Sequence, residues 1–404
     1  MNKLFIALFY VLAFIALPAR AEWRFDRTGI YRNETGLLKV WPSDGPKLLW
    51  HYDGLGEGHS SVGISADKLY VTGMQDGKGY LFVLDLDGKL LKKKLYGDEW
   101  AKSYPGARAM PVINDGMIYL LSGIGDLICI NEQTLDEVWR RTIFVDFNAN
   151  NLRWGFNETP LIVGEKIIFT PGGKEHNIVA LHKKTGKVIW SCAGKGNPAA
   201  YCSPLYIDAQ GIVPQVVTHT AEHVLGVDIE TGQLLWAYYF KERNSVHPNT
   251  PSFVDNTLFI YTSMIGSVML RFKNGGREVE KMWEEIKLDP ITGHSVIIGD
   301  YIYTSGFMRD GNNYWYCANR HTGKIMYRDN TISSGAVIYA DGHLYCYTER
   351  GEMALVKPSP KKFEVISRFP ITLGTEQHWA HPVIHNGVLY IRHGDTLMAY
   401  NIKK

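Results

Sequence analysis

Thr159-Pro160-Leu161-Ile162 opens a phrase that Lys183-Lys184-Thr185-Gly186-Lys187-Val188-Ile189-Trp190 closes, and both ends recur along the chain. The opening returns as Ser61-Val62-Gly63-Ile64, Met110-Pro111-Val112-Ile113, Ser203-Pro204-Leu205-Tyr206, Thr250-Pro251-Ser252-Phe253, His294-Ser295-Val296-Ile297, Gly335-Ala336-Val337-Ile338 and His381-Pro382-Val383-Ile384. Its markers fall at positions 62, 111, 160, 204, 251, 295, 336 and 382, so successive copies lie 41 to 49 residues apart. A period in the forties made of short strands is one four-stranded blade per repeat. Eight markers predict an all-β chain: an eight-bladed β-propeller of four-stranded antiparallel blades.

Within the clearest copy the strands read 160–163, 165–171, 177–182 and 187–190, from the channel outward. Gly186 fits a turn position with positive φ, which accounts for the glycine recurring there. The closing phrase returns as Glu230-Thr231-Gly232-Gln233-Leu234-Leu235-Trp236 and His321-Thr322-Gly323-Lys324-Ile325-Met326-Tyr327, with Trp139 and Trp283 in the equivalent place of two further copies. A ring this large repeated on outer strands must be buried, and docking between neighbouring blades is the reading that buries all of them.

The last copy is about half a repeat, with strands at 382–385, 388–392 and 396–402. The missing outer strand is at the other end of the chain. Gly45-Pro46-Lys47-Leu48-Leu49-Trp50 carries the outer-strand ending without a blade of its own before it. The N-terminal strand is therefore expected to complete the C-terminal blade and close the ring, which removes the exposed sheet edges. Pro358 and Pro360 interrupt the third-to-fourth strand connection of the seventh blade. The domain division expected is a signal peptide at 1–21, a leader segment at 22–44 and the propeller at 45–404.

Lys3, the apolar run 4–17 and Ala19-Arg20-Ala21 have the charged, apolar and small-x-small parts of a secretory signal, with the mature chain beginning at Glu22. The run is short for a membrane span. With no cysteine near the cleavage point for a lipid anchor, the protein is expected to be soluble and periplasmic or secreted. The formal charge is +2, and removing Lys3 and Arg20 with the signal brings it to neutrality. A neutral chain with scattered charge lacks the footprint of a nucleic-acid or anionic-lipid binder. The five cysteines, Cys129, Cys192, Cys202, Cys317 and Cys346, are odd in number and form no CxxC pair. They read as buried thiols rather than a metal or redox centre.

Residues just before each innermost strand should converge on one mouth of the channel. They are His59 and Ser60; Arg108; Trp154, Asn157 and Glu158; Tyr201; His247 and Asn249; Thr292 and His294; Ser333 and Ser334; His378, Trp379 and His381. Aromatic and polar groups around a concavity suit a small molecule, a sugar or a protein partner, while a merely wet channel would also be polar. Arg108, flanked by small residues, could clamp a carboxylate or pair with Glu158. Trp154 and Trp379 lack the outer-strand setting and suit stacking on a ring. His378 and His381 lie on opposite faces of an extended segment, so no metal site is assigned. The chain has no nucleophile elbow, His-Glu-x-x-His or Walker motif.

The strand–Thr-Gly-Lys-x-x-Trp repeats resemble the pyrroloquinoline-quinone (PQQ) propeller repeat over about residues 45–404. The stretch from Glu22-Trp23-Arg24-Phe25 to Trp50 resembles the leader of exported PQQ-like propellers. That superfamily includes quinoprotein alcohol dehydrogenases and the propeller lipoprotein of the outer-membrane barrel assembly machinery. The resemblance implies either a binding or scaffold module acting through the channel mouth and loops, or a quinone-dependent alcohol or sugar dehydrogenase using PQQ and calcium. In the second case Arg108 would hold quinone oxygens, Trp154 or Trp379 would stack on the ring, and Asn157 with Glu158 would approach the calcium. The vicinal cysteines and acidic trio of those dehydrogenases have no counterpart here, so no catalytic residue is carried over.

Overall fold

The computed structural model describes residues 23–262, 264–290, 293–307 and 312–404. The signal segment at 1–21 and Thr292 lie outside them. Eight antiparallel blades of four strands follow one another in chain order, and the sheet of blade 7 gains a fifth, parallel strand, Ile30–Tyr31. Blades 1 to 7 span 63–98, 112–142, 161–192, 205–239, 252–285, 295–329 and 335–370. Blade 8 takes three strands from 383–401 and its outer strand, Lys47–Asp53, from the start of the chain. That strand runs antiparallel to Thr396–Asn401, with Trp50 opposite Ala399. The ring therefore closes by the pairing expected from the half-length last repeat. Among the described residues no helix is long and apolar enough to cross a membrane. All five cysteines are buried and free.

The outer strands show how the repeat phrase works. In each of the eight blades the register against the third strand slips by one residue. The unpaired residue is the one before the tryptophan position, as with Leu49, Val138 and Ile189. This β-bulge re-aims the next side chain. It also explains why Leu49, Val138 and Ile189 are exposed apolar residues. The re-aimed ring reaches the next blade. Trp139 Nε1 donates to Lys183 O at 2.8 Å, Trp190 to Ile229 O at 2.9 Å, Trp283 to Arg320 O at 2.7 Å and Trp50 to Leu86 O at 2.8 Å. Each ring lies over the turn glycine of that blade. A Cβ on Gly232, whose φ is +73°, would meet Trp190 at 2.8 Å, and one on Gly186 would meet Trp139 at 2.8 Å. The glycine thus meets two demands, a left-handed backbone and a flat seat for the neighbouring ring.

The leader fills the channel. Arg24 Nη1 donates to Val337 O at 2.9 Å and Nη2 to Ser295 O at 2.9 Å, on the innermost strands of blades 7 and 6. Arg27 Nη2 reaches Thr159 O at 3.0 Å and Pro160 O at 2.8 Å, beside blade 3. Between them the backbone is a left-handed turn, with φ of +52°, +42°, +52° and +62° at Arg24, Phe25, Asp26 and Arg27. Such a turn costs roughly 1–2 kcal/mol per residue, and it persists because the two arginines tie it to the channel wall. Ile30–Tyr31 then pairs in parallel with Tyr339 and Ala340 of blade 7. The segment therefore runs from the mouth to the opposite end. Tyr31, Leu37 and Trp41 are buried in the largest apolar cluster, together with residues of blades 7, 8 and 1.

Candidate functional site

At the mouth the ring holds a cavity of about 290 Å³. Of the twelve residues read from the sequence as the ligand site, the cavity is lined by His59, Arg108, Trp154, Asn157, Tyr201, His294, Trp379 and His381. They come from the loops leading into blades 1, 2, 3, 4, 6 and 8, so positional equivalence in the repeats brings distant sequence together.

The other four are close by but turned to other work. Glu158 is buried, and both its carboxylate oxygens accept from Thr170 N at 3.1 Å. The ion pair considered between Arg108 and Glu158 does not form, because Arg108 Nη2 donates to Tyr104 O and Ser103 O instead. His247 is fully buried, stacked on His219 at 5.0 Å, and its Nε2 lies 3.3 Å from Ala221 O. Asn249 Oδ1 accepts from His294 N at 3.2 Å and so fixes the loop rather than the wall. His378 takes a 2.7 Å hydrogen bond with Tyr347 Oη and stacks on His393 at 3.6 Å.

The cavity has aromatic walls and a cationic rim. Trp379 lies 5.0 Å from both His59 and Tyr104. Across from it Trp154 packs near Tyr201 at 6.1 Å, and Trp154 N donates to Tyr201 Oη at 3.3 Å. Burial lowers Arg108 to about 10, which leaves it charged at neutral pH. Burial, with Arg108 and Arg392 nearby, holds His59 down at about 3, so that ring is neutral. Among the described residues the wall carries no carboxylate.

The leader supplies the floor. Trp23 lines the cavity and meets His294 edge-on at 5.0 Å and His381 at 6.0 Å. Trp23, read from the sequence only as part of the leader, and Tyr104, which the sequence reading does not single out, both belong to the wall. The repeat could not have found Trp23, because the leader stands outside it.

Glu158 offers a test of this burial. Desolvation pushes its carboxyl up to about 8 from an ordinary 4.5, with Thr170 and Arg27 acting in the other direction. A folded value above the unfolded one means that the stabilising contribution is fully present below about pH 4.5 and is lost as pH rises through about 8. Thermal melts of Glu158→Gln should therefore depend less on pH between 6 and 9 than those of the wild-type chain. Equal pH dependence in the two proteins would show that the carboxyl titrates normally.

The family model described as outer membrane protein assembly factor BamB matches residues 35–329. The quinoprotein ethanol dehydrogenase of Pseudomonas putida is 26% identical over 226 residues, covering 50% of this chain and 34% of that protein. The outer membrane protein assembly factor BamB of Shewanella oneidensis is 23% identical over 264 residues, 60% of this chain and 63% of that protein. The chain thus spans about a third of the dehydrogenase and under two thirds of the assembly factor. The crystal structure of BamB from Moraxella catarrhalis superposes with a TM-score of 0.64 at 15% identity, covering 88% of this chain and 99% of that one, a likeness of fold.

Proposed function

The chain belongs to the BamB-type PQQ-like propeller family, and from that premise we propose that it is an exported binding and scaffold module, working in the periplasm or outside the cell. Its occupant, a small ligand or a segment of a partner protein, sits in the mouth cavity. The observation that carries this reading is the cavity itself: aromatic on its sides, floored by Trp23 and rimmed by Arg108. With the leader in the channel, the cavity is a cup rather than a pore. A cup of this make-up is the usual form of a ligand site. The relatives named as an assembly factor point toward protein partners, and the loops around the same mouth are the surface such a partner would meet.

A calcium–quinone dehydrogenase fits these residues poorly. Calcium takes six to eight oxygen ligands, with carboxylates prominent among them. Among the described residues the cavity wall offers none, and Glu158 is bound to Thr170 N. Among the described residues no group of three or more His, Cys, Asp or Glu is placed to hold a metal. The channel axis beneath the cavity is taken by Arg24 and Arg27. Titration with PQQ and calcium is expected to give no calcium-dependent change in absorbance or melting temperature. A calcium-dependent quinone spectrum would restore the dehydrogenase reading.

The binding reading is tested at the rim. In a fluorescence screen of small aromatic and sugar ligands, Arg108→Ala and Trp379→Ala should each weaken a hit about tenfold or more, of the order of one charge-assisted hydrogen bond or one stacked ring. Their melting temperatures should stay near wild type, since Trp379 is 38% exposed. Hits that ignore both substitutions would place binding elsewhere.

A further inference from the structure

We propose that His393 is a pH-sensitive latch: with a proton on both ring nitrogens it clamps the loop 371–382 that carries Trp379, and on losing one of them it lets that loop loosen. The latch is independent of what the mouth cavity holds.

The loop joins blade 7 to blade 8, and side chains supply its polar ties. Among the described residues, 372–380 make no backbone-to-backbone hydrogen bond. Thr375 Oγ1 donates to Asp395 Oδ1 at 3.1 Å, His378 shares a 2.7 Å hydrogen bond with Tyr347 Oη, and two carbonyls of the loop face one imidazole.

That imidazole is His393, which is buried. Its Nδ1 lies 2.7 Å from Leu373 O and its Nε2 2.9 Å from Glu376 O. A carbonyl only accepts, and a neutral imidazole has one N–H to give. One of the two carbonyls would then face a bare nitrogen lone pair, so the closed geometry belongs to the imidazolium. Both lengths are those of hydrogen bonds from a charged donor. Packing holds the ring to these partners. Gly374 lies against it, where a Cβ would come within 3.0 Å of Nδ1, and the ring stacks on His378 at 3.6 Å. Glu376 carries a left-handed φ of +67°, an unfavourable backbone for a residue other than glycine. The loop therefore has strain to release once the ring lets go.

The groups around the ring leave the switching to it. Its own hairpin brings Arg392 and Asp395, the loop brings Glu376 and His378, blade 7 brings Tyr347, and the entry to blade 1 brings Glu57 and His59. The like charge of Arg392 opposes a proton on His393, and the carboxylates favour one. Burial and the neighbouring His393 hold His378 at about 4, and burial with Arg108 and Arg392 holds His59 at about 3, so both rings are neutral above pH 5. Histidine is the side chain suited to changing charge between pH 5 and 8, and with its two ring neighbours neutral that change falls to His393. Closure and proton uptake favour each other, so the closed loop is the low-pH form and loosens as pH rises. Trp379 moves with the loop, and with it one wall of the cavity.

The test is fluorine NMR of the full chain labelled with 5-fluorotryptophan, the Trp379 line being assigned by Trp379→Phe, beside ¹⁵N spectra of the histidine rings. Between pH 5.5 and 8 the Trp379 line and the His393 ring should titrate together, with both ring nitrogens protonated at the acid end. The open form should gain about tenfold in population, the worth of one charge-assisted hydrogen bond. His393→Gln, neutral at every pH, should hold the Trp379 line at its high-pH position throughout. A Trp379 line that ignores pH in the wild-type chain, or a His393 ring that keeps one protonation state across the range, overturns the latch without needing any variant to fold. A Trp379 line that titrates in His393→Gln as it does in the wild type assigns the response to another group and overturns it too.

Discussion

A chain that lacks residues 23–53 is expected to aggregate or self-associate and to melt at a lower temperature than the full chain. Two supports go at once. The strand Lys47–Asp53 covers the third strand of blade 8 over six paired positions. Without it the ring has a gap, and an uncovered strand edge is a template for pairing with other chains. The leader also contributes Tyr31, Leu37 and Trp41 to the largest apolar cluster. Burying aromatic or leucine side chains of this size is worth about 1.5–3 kcal/mol each, so their removal is of the same order as the net stability of many domains, roughly 5–15 kcal/mol. Size-exclusion chromatography and a thermal melt decide the matter. A truncated chain that remains monomeric with an unchanged melting temperature would mean that blade 8 does not need its N-terminal strand. Removing 23–44 alone separates the two supports, because the closing strand then remains: the expected result is a monomer with a lower melting temperature and a weakened mouth site.

The ring was readable because its information is repeated. Each opening phrase fixes one innermost strand, and the half-length copy after Pro382 together with the orphan Trp50 ending leaves one way to close. The same repetition brings eight of the twelve residues read as a mouth site to one cavity, since equivalence in sequence becomes convergence in space. What escaped had no repeat to betray it. Arg24 and Arg27 look like two ordinary charges in a leader. Only the channel wall, which offers backbone carbonyls from blades 3, 6 and 7, makes them a plug. Glu158 and His378 are read from the sequence as mouth residues, yet their side chains turn to Thr170 and Tyr347. Position along a strand states where a residue begins, whereas the direction of its side chain is decided by the partners it finds. Gly186 shows the same limit in the fold. Its turn geometry could be read locally, but the Trp139 ring lying on it comes from the preceding blade.

That glycine–tryptophan seat carries the second large effect. Trp190→Ala should cost about 3–5 kcal/mol, the range for emptying a buried aromatic site. The ring is 7% exposed, and its Nε1 satisfies Ile229 O across the blade boundary. Truncation therefore leaves both a void between blades 3 and 4 and an unpaired carbonyl. Gly232→Ala attacks the same seat from the other side. It adds the penalty of a non-glycine residue at φ +73° to a Cβ placed 2.8 Å from the Trp190 ring. The two substitutions are therefore coupled. In the Trp190→Ala background the clash disappears and only the backbone penalty of Gly232→Ala remains. Denaturant melts of the two single variants and the double variant should give a combined loss smaller than the sum of the single losses, by an interaction energy of about 0.5–3 kcal/mol. Strict additivity would show that the glycine serves its own turn alone. The tryptophan would then be an ordinary buried ring rather than the element that sets each blade against the next.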